Sequence, residues 1–235
     1  MKRLRDVRCT AVRQRVIVIL VFLLCGYLRA GFTQEQTINL NDLIQETQKR
    51  SDRVGEMSFT WWIPQDYWRA SLSQNPTITT EQIENIVNIF QPYILLAVVD
   101  GKISSYGGVT YKAEAEMRSS ILIKDKKGSV YTPLKEGEVS VEAKSFLASM
   151  KPALANALGS MGQNMNFFVF PGKDKDGQDI ADTKKEGAFS VILGEREFKW
   201  NLPLASVLPL KTCPICNKKL SGSFKFCPWD GTKLE

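Results

Sequence analysis

Three cysteines near the end of the chain are the residues whose spacing most narrows their chemistry. Cys213, Cys216 and Cys227 fall in two matching pentads, Cys213-Pro-Ile-Cys-Asn217 and Cys227-Pro-Trp-Asp-Gly231. Thiolates ligate soft and borderline metals, and oxidised thiols pair as disulfides. Two residues between Cys213 and Cys216 let one tight turn present both sulfurs to one metal, while the turn's N–H groups donate to them. Asn217 and Gly231 close their pentads where the chain often needs positive φ, which these residue types tolerate best. The alternative chemistry is a Cys213–Cys216 disulfide that leaves Cys227 as an odd thiol. A thioredoxin-like redox site is excluded, because no strand-helix-strand unit surrounds these cysteines. The chain contains no histidine, so neither a Ser-His-Asp nor a Cys-His catalytic site can be built.

The doubled pentads resemble the paired knuckles of a zinc ribbon, over about a tenth of the chain. The resemblance implies a zinc ion held by Cys213, Cys216 and Cys227, with Asp230 standing, by position, where a fourth cysteine would be. The first knuckle follows the family pattern; the second departs from it at Asp230. A carboxylate oxygen is an accepted zinc ligand, and a water in its place is the alternative. Four protein ligands leave no open position, so the implied zinc is structural and not catalytic. A segment this short buries too little apolar surface to fold without a metal or a covalent staple.

Trp61, Trp62, Tyr67 and Trp68 form a dense aromatic cluster able to stack on a polymer or a peptide. Neighbours on a strand point to opposite faces, so Trp61 and Trp62 cannot share one core layer. One of them must cover a second interface or a surface, which makes the four aromatic residues the candidate partner-binding patch. The competing role is core packing. Asp174, Asp176 and Asp179 around Gly177 look like part of a calcium loop, but no bidentate Glu follows, and a solvated turn is expected. Asp100-Gly-Lys102 lacks the upstream glycine of a phosphate loop, since Leu96 stands there. Glu114 and Glu116 read as solvated carboxylates on a charged strand.

The net charge of +6 misleads about partners. Residues 1–30 carry seven basic residues and one acid, which leaves 24 of each sign in the remainder. A balanced body has no electrostatic footprint for phosphate backbones, and no nucleic-acid partner is expected. The basic stretch precedes a thirteen-residue apolar run over 16–28, the layout of a secretory signal. As a helix that run would span about 20 Å, short of the roughly 30 Å hydrocarbon core. A cleaved signal ending near Ala30 is therefore the first reading, and a retained membrane anchor the second. Either places the body outside, periplasmic or anchored to the cytoplasmic membrane facing outward. No Asn of the body starts an acceptable N-x-Ser/Thr sequon, in keeping with a bacterial envelope.

The elements that must position these residues mix helices and strands irregularly. Asn39 or Asn41 caps a helix carrying Leu40, Leu43 and Ile44. Residues 57–63 read as a strand, and Pro64 opens a short helical turn with Tyr67 and Trp68. Thr79 and Gln82 form a capping box for a helix over 80–91, with Ile83, Ile86, Val87 and Phe90 on one stripe. The apolar run 93–99 reads as a central strand covered on both faces, followed by a hairpin turn at Asp100-Gly101. Residues 116–124 and 129–134 read as strands, and 142–158 as a helix kinked or divided at Pro152. In that helix Phe146, Leu147, Met150, Leu154 and Leu158 share a stripe. A buried strand over 166–170 and a hairpin pairing 188–193 with 197–202 complete the body.

The predicted fold class is α+β, a mainly antiparallel sheet with three to four helices, plus the small C-terminal zinc ribbon. The predicted organisation is a leader over 1–30, a linker over 31–37, a body over 38–210 and the ribbon module over 211–235. The functional expectation is an exported, non-enzymatic binding or scaffolding protein of the cell envelope. Its partner would be a protein or an envelope polymer, with membrane proximity through the N-terminal segment. The alternative is an envelope hydrolase that uses carboxylates of the body.

Overall fold

The computed structural model describes residues 38–235, so the leader and the 31–37 linker lie outside the described residues. In chain order the elements begin with α1 (Leu40–Thr47), β1 (Gln48–Arg50), β2 (Glu56–Ile63), α2 (Gln65–Leu72), α3 (Thr80–Phe90) and β3 (Tyr93–Ile103). Then come β4 (Val109–Tyr111), α4 (Glu114–Ser120), β5 (Ile121–Asp125), β6 (Val130–Tyr131), α5 (Val141–Leu158) and α6 (Ser160–Gln163). The chain continues through β7 (Asn166–Pro171), β8 (Gly187–Leu193) and β9 (Arg196–Leu202) to the short β10 (Lys211–Thr212) and β11 (Lys219–Leu220). This is an α+β fold with antiparallel sheets.

β3 organises the body. Its apolar run is long enough to be covered on both faces, and its side chains divide accordingly. Ile94, Leu96 and Val98 enter one core, and Leu95, Ala97 and Val99 enter the other. β2 pairs along one edge, with Trp62 opposite Leu96 and Trp61 opposite Ala97. β7 and β4 take the first and last parts of the other edge, and β1 extends the sheet beyond β2. A second, four-stranded sheet runs β6-β5-β8-β9.

Three layers result. Val87 and Phe90 of α3, Trp68 of α2 and Leu147 of α5 pack on one face of the five-stranded sheet. Phe189, Val191 and Trp200 of the second sheet pack on the other face. Along β9 the buried Phe198 and Trp200 alternate with exposed Glu197, Lys199 and Asn201, so the outer face of that sheet is wet. Among the described residues no helix is long and apolar enough to cross a membrane.

Several local expectations hold and several are corrected. Asn39 caps α1 by accepting from the Asn41 and Asp42 N–H groups. Thr79 and Gln82 make the reciprocal capping box of α3. Residues 116–120, expected as the start of a strand over 116–124, belong instead to α4, which spans Glu114–Ser120. Ala, Glu, Met and Arg are good helix formers, Glu114 pairs with Arg118 one turn on, and β-structure starts only at Ile121. With α4 and the short α6, the α-helices among the described residues number six.

Asp100-Gly101 is not a turn; both residues lie within β3. A Cβ at Gly101 would sit 2.7 Å from the Thr110 carbonyl oxygen, so glycine serves the close approach of β4. The chain reverses later, at Ser104 to Gly108, where Gly107 supplies a φ of 83°. α5 runs unbroken through Pro152, and Leu158 at its end is exposed, off the buried stripe.

Candidate metal centre

The C-terminal segment is two small loops of the same construction. The first is closed by β10 pairing with β11, Thr212 opposite Lys219. The second is closed by a bridge between Phe226 and Lys233. In each loop the N–H of the fifth pentad residue donates to the carbonyl of the first, Asn217 to Cys213 and Gly231 to Cys227, both at 2.9 Å. In each, the first cysteine's N–H donates to the carbonyl five residues on, Lys218 at 3.0 Å and Thr232 at 2.7 Å. Asn217 and Gly231 both take positive φ, 57° and 73°. The two knuckles are superposable in hydrogen-bond pattern, and Asp230 occupies in the second the place that Cys216 occupies in the first.

This repeat is longer than the pentads suggested. Cys213-Pro-Ile-Cys-Asn-Lys-Lys-Leu220 matches Cys227-Pro-Trp-Asp-Gly-Thr-Lys-Leu234 in Cys, Pro, Lys and Leu. Leu220 and Leu234 are both buried and, with Cys213 and Cys227, make a core that shares no residue with the two body cores. The signal for these leucines in the sequence is the repeated Lys-Leu pair that ends each copy. The module also leans on the chain that leads into it. A Cβ at Gly222 would lie 2.3 Å from the Pro209 carbonyl oxygen, so glycine is needed there for contact.

The four predicted ligand residues come together. One donor atom each from Cys213, Cys216, Cys227 and Asp230 lies within 4.8 Å of the other three, an arrangement compatible with a metal-binding site. All three thiols are free, and Cys213 and Cys227 are buried. Comparison with protein families, with curated proteins and with solved structures returns no match. The centre therefore stands on its own geometry.

Its electrostatics fit a cation. The Thr232 hydroxyl and N–H, with Cys213 and Cys227 behind them, hold the Asp230 carboxyl well below the usual carboxylate range. At Cys213 burial opposes ionisation, but the Cys216 and Ile215 N–H groups outweigh it and lower the thiol. At Cys216 the Lys218 N–H favours the thiolate, yet burial and the neighbouring Cys213, Asp230 and Cys227 push the thiol up to about 11. Three thiols and a carboxylate this close cannot all ionise alone; a bound cation removes the conflict.

The aromatic cluster is core, not a partner surface. Trp61 and Trp62 do point to opposite faces, but both faces are covered. Trp62 meets Phe189 edge-on with centroids 4.9 Å apart, on the side of the second sheet. Trp61, on the helical side, meets Tyr67 and donates its Nε1–H to Thr47 Oγ1 at 3.2 Å. Trp68 stacks on Phe90, and only Tyr67 is half-buried. The partner-binding reading of these four residues is corrected on this ground, because the three indoles are out of a partner's reach.

The buried carboxylates among the described residues have structural partners. Asp174 and Asp176 both accept from Lys127 Nζ, at 2.7 and 3.2 Å, in the solvated turn that was expected. Buried Asp100 holds Arg196 and Lys112, and buried Asp66 accepts from Thr183 Oγ1. Glu114 and Glu116 lie on a helix and are exposed, not on a strand.

Proposed function

We propose that the chain is an exported, non-enzymatic binding or scaffolding protein of the cell envelope, with a C-terminal zinc ribbon held by one structural zinc ion. The observation that carries the zinc assignment is the convergence of the four donors within 4.8 Å, with two of their spacings at zinc dimensions. Zn–S bonds of about 2.3 Å place tetrahedral sulfurs about 3.8 Å apart. Cys216 Sγ and Cys227 Sγ are 3.7 Å apart. A Zn–O bond of about 2.0–2.2 Å places the oxygen about 3.6 Å from each sulfur. Cys213 Sγ lies 3.3 and 3.7 Å from the two oxygens of Asp230. Thiolate-rich donors suit zinc and not magnesium or calcium, and four protein donors leave no site for water or substrate.

The basic flank and apolar run of residues 1–30 support export, and a charge-balanced remainder supports a protein or envelope-polymer partner over nucleic acid. The paired state of the buried carboxylates supports a binding role over hydrolysis. Native mass spectrometry of protein recovered from a fractionated host tests the reading in one measurement. The expected result is one zinc per chain, in the envelope fraction, on a protein that begins near Gly31. A Cys213–Cys216 disulfide without metal would defeat the zinc site, and cytoplasmic recovery would defeat export.

A further inference from the structure

The metal-held module carries an apolar tip that its own fold does not use. Its core is Cys213, Leu220, Cys227 and Leu234, yet Ile215, Phe226 and Trp229 are 70%, 60% and 62% exposed. Ile215 and Trp229 hold equivalent places in the two knuckles, each one residue before the second donor. Because the four donor atoms lie within 4.8 Å of one another, both side chains flank a single centre. An exposed tryptophan that contributes nothing to its module's core marks a contact surface.

The formal charge of the module is mostly positive. Lys211, Lys218, Lys219, Lys225 and Lys233 face only Asp230 and Glu235 within the module. Three thiolates, a carboxylate and a divalent ion would leave the module net positive. Lys218 Nζ sits 4.0 Å from the centroid of the Trp229 ring, so cation and aromatic face are presented together. Residues 38–210 are close to balanced, with 19 basic and 21 acidic side chains, so the positive charge is concentrated in the module.

From this we propose that the ribbon tip is a docking site for an acidic peptide segment of a partner protein. An aliphatic or aromatic side chain of that segment packs between Trp229 and Ile215, and flanking carboxylates meet Lys218 and its neighbours. A single-stranded nucleic acid fits less well. Lys218 occupies one face of the only indole at the tip, and Ile215 offers no surface for base stacking. The proposal rests on the module being held by metal, so zinc content is measured beside every binding experiment.

The test titrates the purified full chain with a fluorescent dodecapeptide that has a central Leu-Phe pair flanked by glutamates. A scrambled-charge peptide with lysines and an oligouridylate serve as competitors. The expected result is saturable binding of the acidic peptide that the lysine peptide does not compete. Trp229→Ala should weaken it by about thirtyfold, the scale of an interface hot spot. Lys218→Glu should weaken it and flatten its salt dependence, with zinc content unchanged in both variants. Absence of binding by the zinc-loaded protein, equal affinity in Trp229→Ala, or tighter binding of oligouridylate would each overturn the proposal. Loss of zinc in the unmodified chain would instead overturn the metal reading on which it rests.

Discussion

At the scale of single residues, Asp230 is the decisive departure from a four-cysteine centre. Its carboxylate is positioned by the Thr232 N–H, 2.9 Å from Oδ1, as the Lys218 N–H serves the Cys216 sulfur in the other knuckle. A carboxylate is a harder donor than a thiolate and is held less tightly by zinc. Asp230→Cys should therefore raise zinc affinity. Asp230→Ala should lower it by more than about tenfold, a loss already reached when an outer-shell partner is removed. Competition for zinc against a chromophoric chelator measures both, and unchanged affinity in Asp230→Ala would assign the fourth ligand elsewhere.

At the scale of elements, the turn between β5 and β6 shows how one side chain can set a reversal. Asp125 Oδ1 accepts from the Lys127 and Ser129 N–H groups at 2.8 Å each, and Oδ2 accepts from the Tyr131 hydroxyl at 2.8 Å. Burial alone would raise this carboxyl's pKa, but the Tyr131 hydroxyl and the two N–H groups hold it below its ordinary value. A depressed native pKa stabilises the fold above the unfolded value near 3.9, and the gain fades as pH falls through the native value. Asp125→Asn should thus cost about 1–3 kcal/mol at pH 7, and less at pH 3, below the unfolded value, where part of the parent's contribution has gone. Urea unfolding at the two pH values measures the difference; an equal penalty at both would show that the charge is not what matters.

At the scale of the whole molecule, the body and the C-terminal module have separate cores. The body has two apolar layers on β3, whereas the module has two leucines and two cysteines. A segment below about 40 residues seldom folds without a metal or a staple. Stripping the proposed zinc with a strong chelator should expose residues 211–235 to protease while the thermal transition of the body stays where it was. Limited proteolysis and near-ultraviolet dichroism read the two parts independently. A body transition that moves with the metal would show that the two are one cooperative unit.

Features that depend on a few neighbouring residues were legible in the sequence. The capping box at Thr79, the two-faced run 93–99 and the positive-φ positions Asn217 and Gly231 are of this kind. Each follows from local sterics, period or hydrogen bonding, which the chain carries wherever it goes. The grouping of Cys213, Cys216, Cys227 and Asp230 comes instead from the resemblance of the two pentads to paired knuckles. What distant segments do was not legible. Trp61 and Trp62 are buried rather than presented to a partner, because α2, α3 and α5 cover one face of β2 and the second sheet covers the other. Gly101 lies in a strand rather than a turn because the Thr110 carbonyl approaches it from β4. A side chain's exposure and a glycine's purpose are set by what packs against them, and that is decided only when segments far apart in the chain meet.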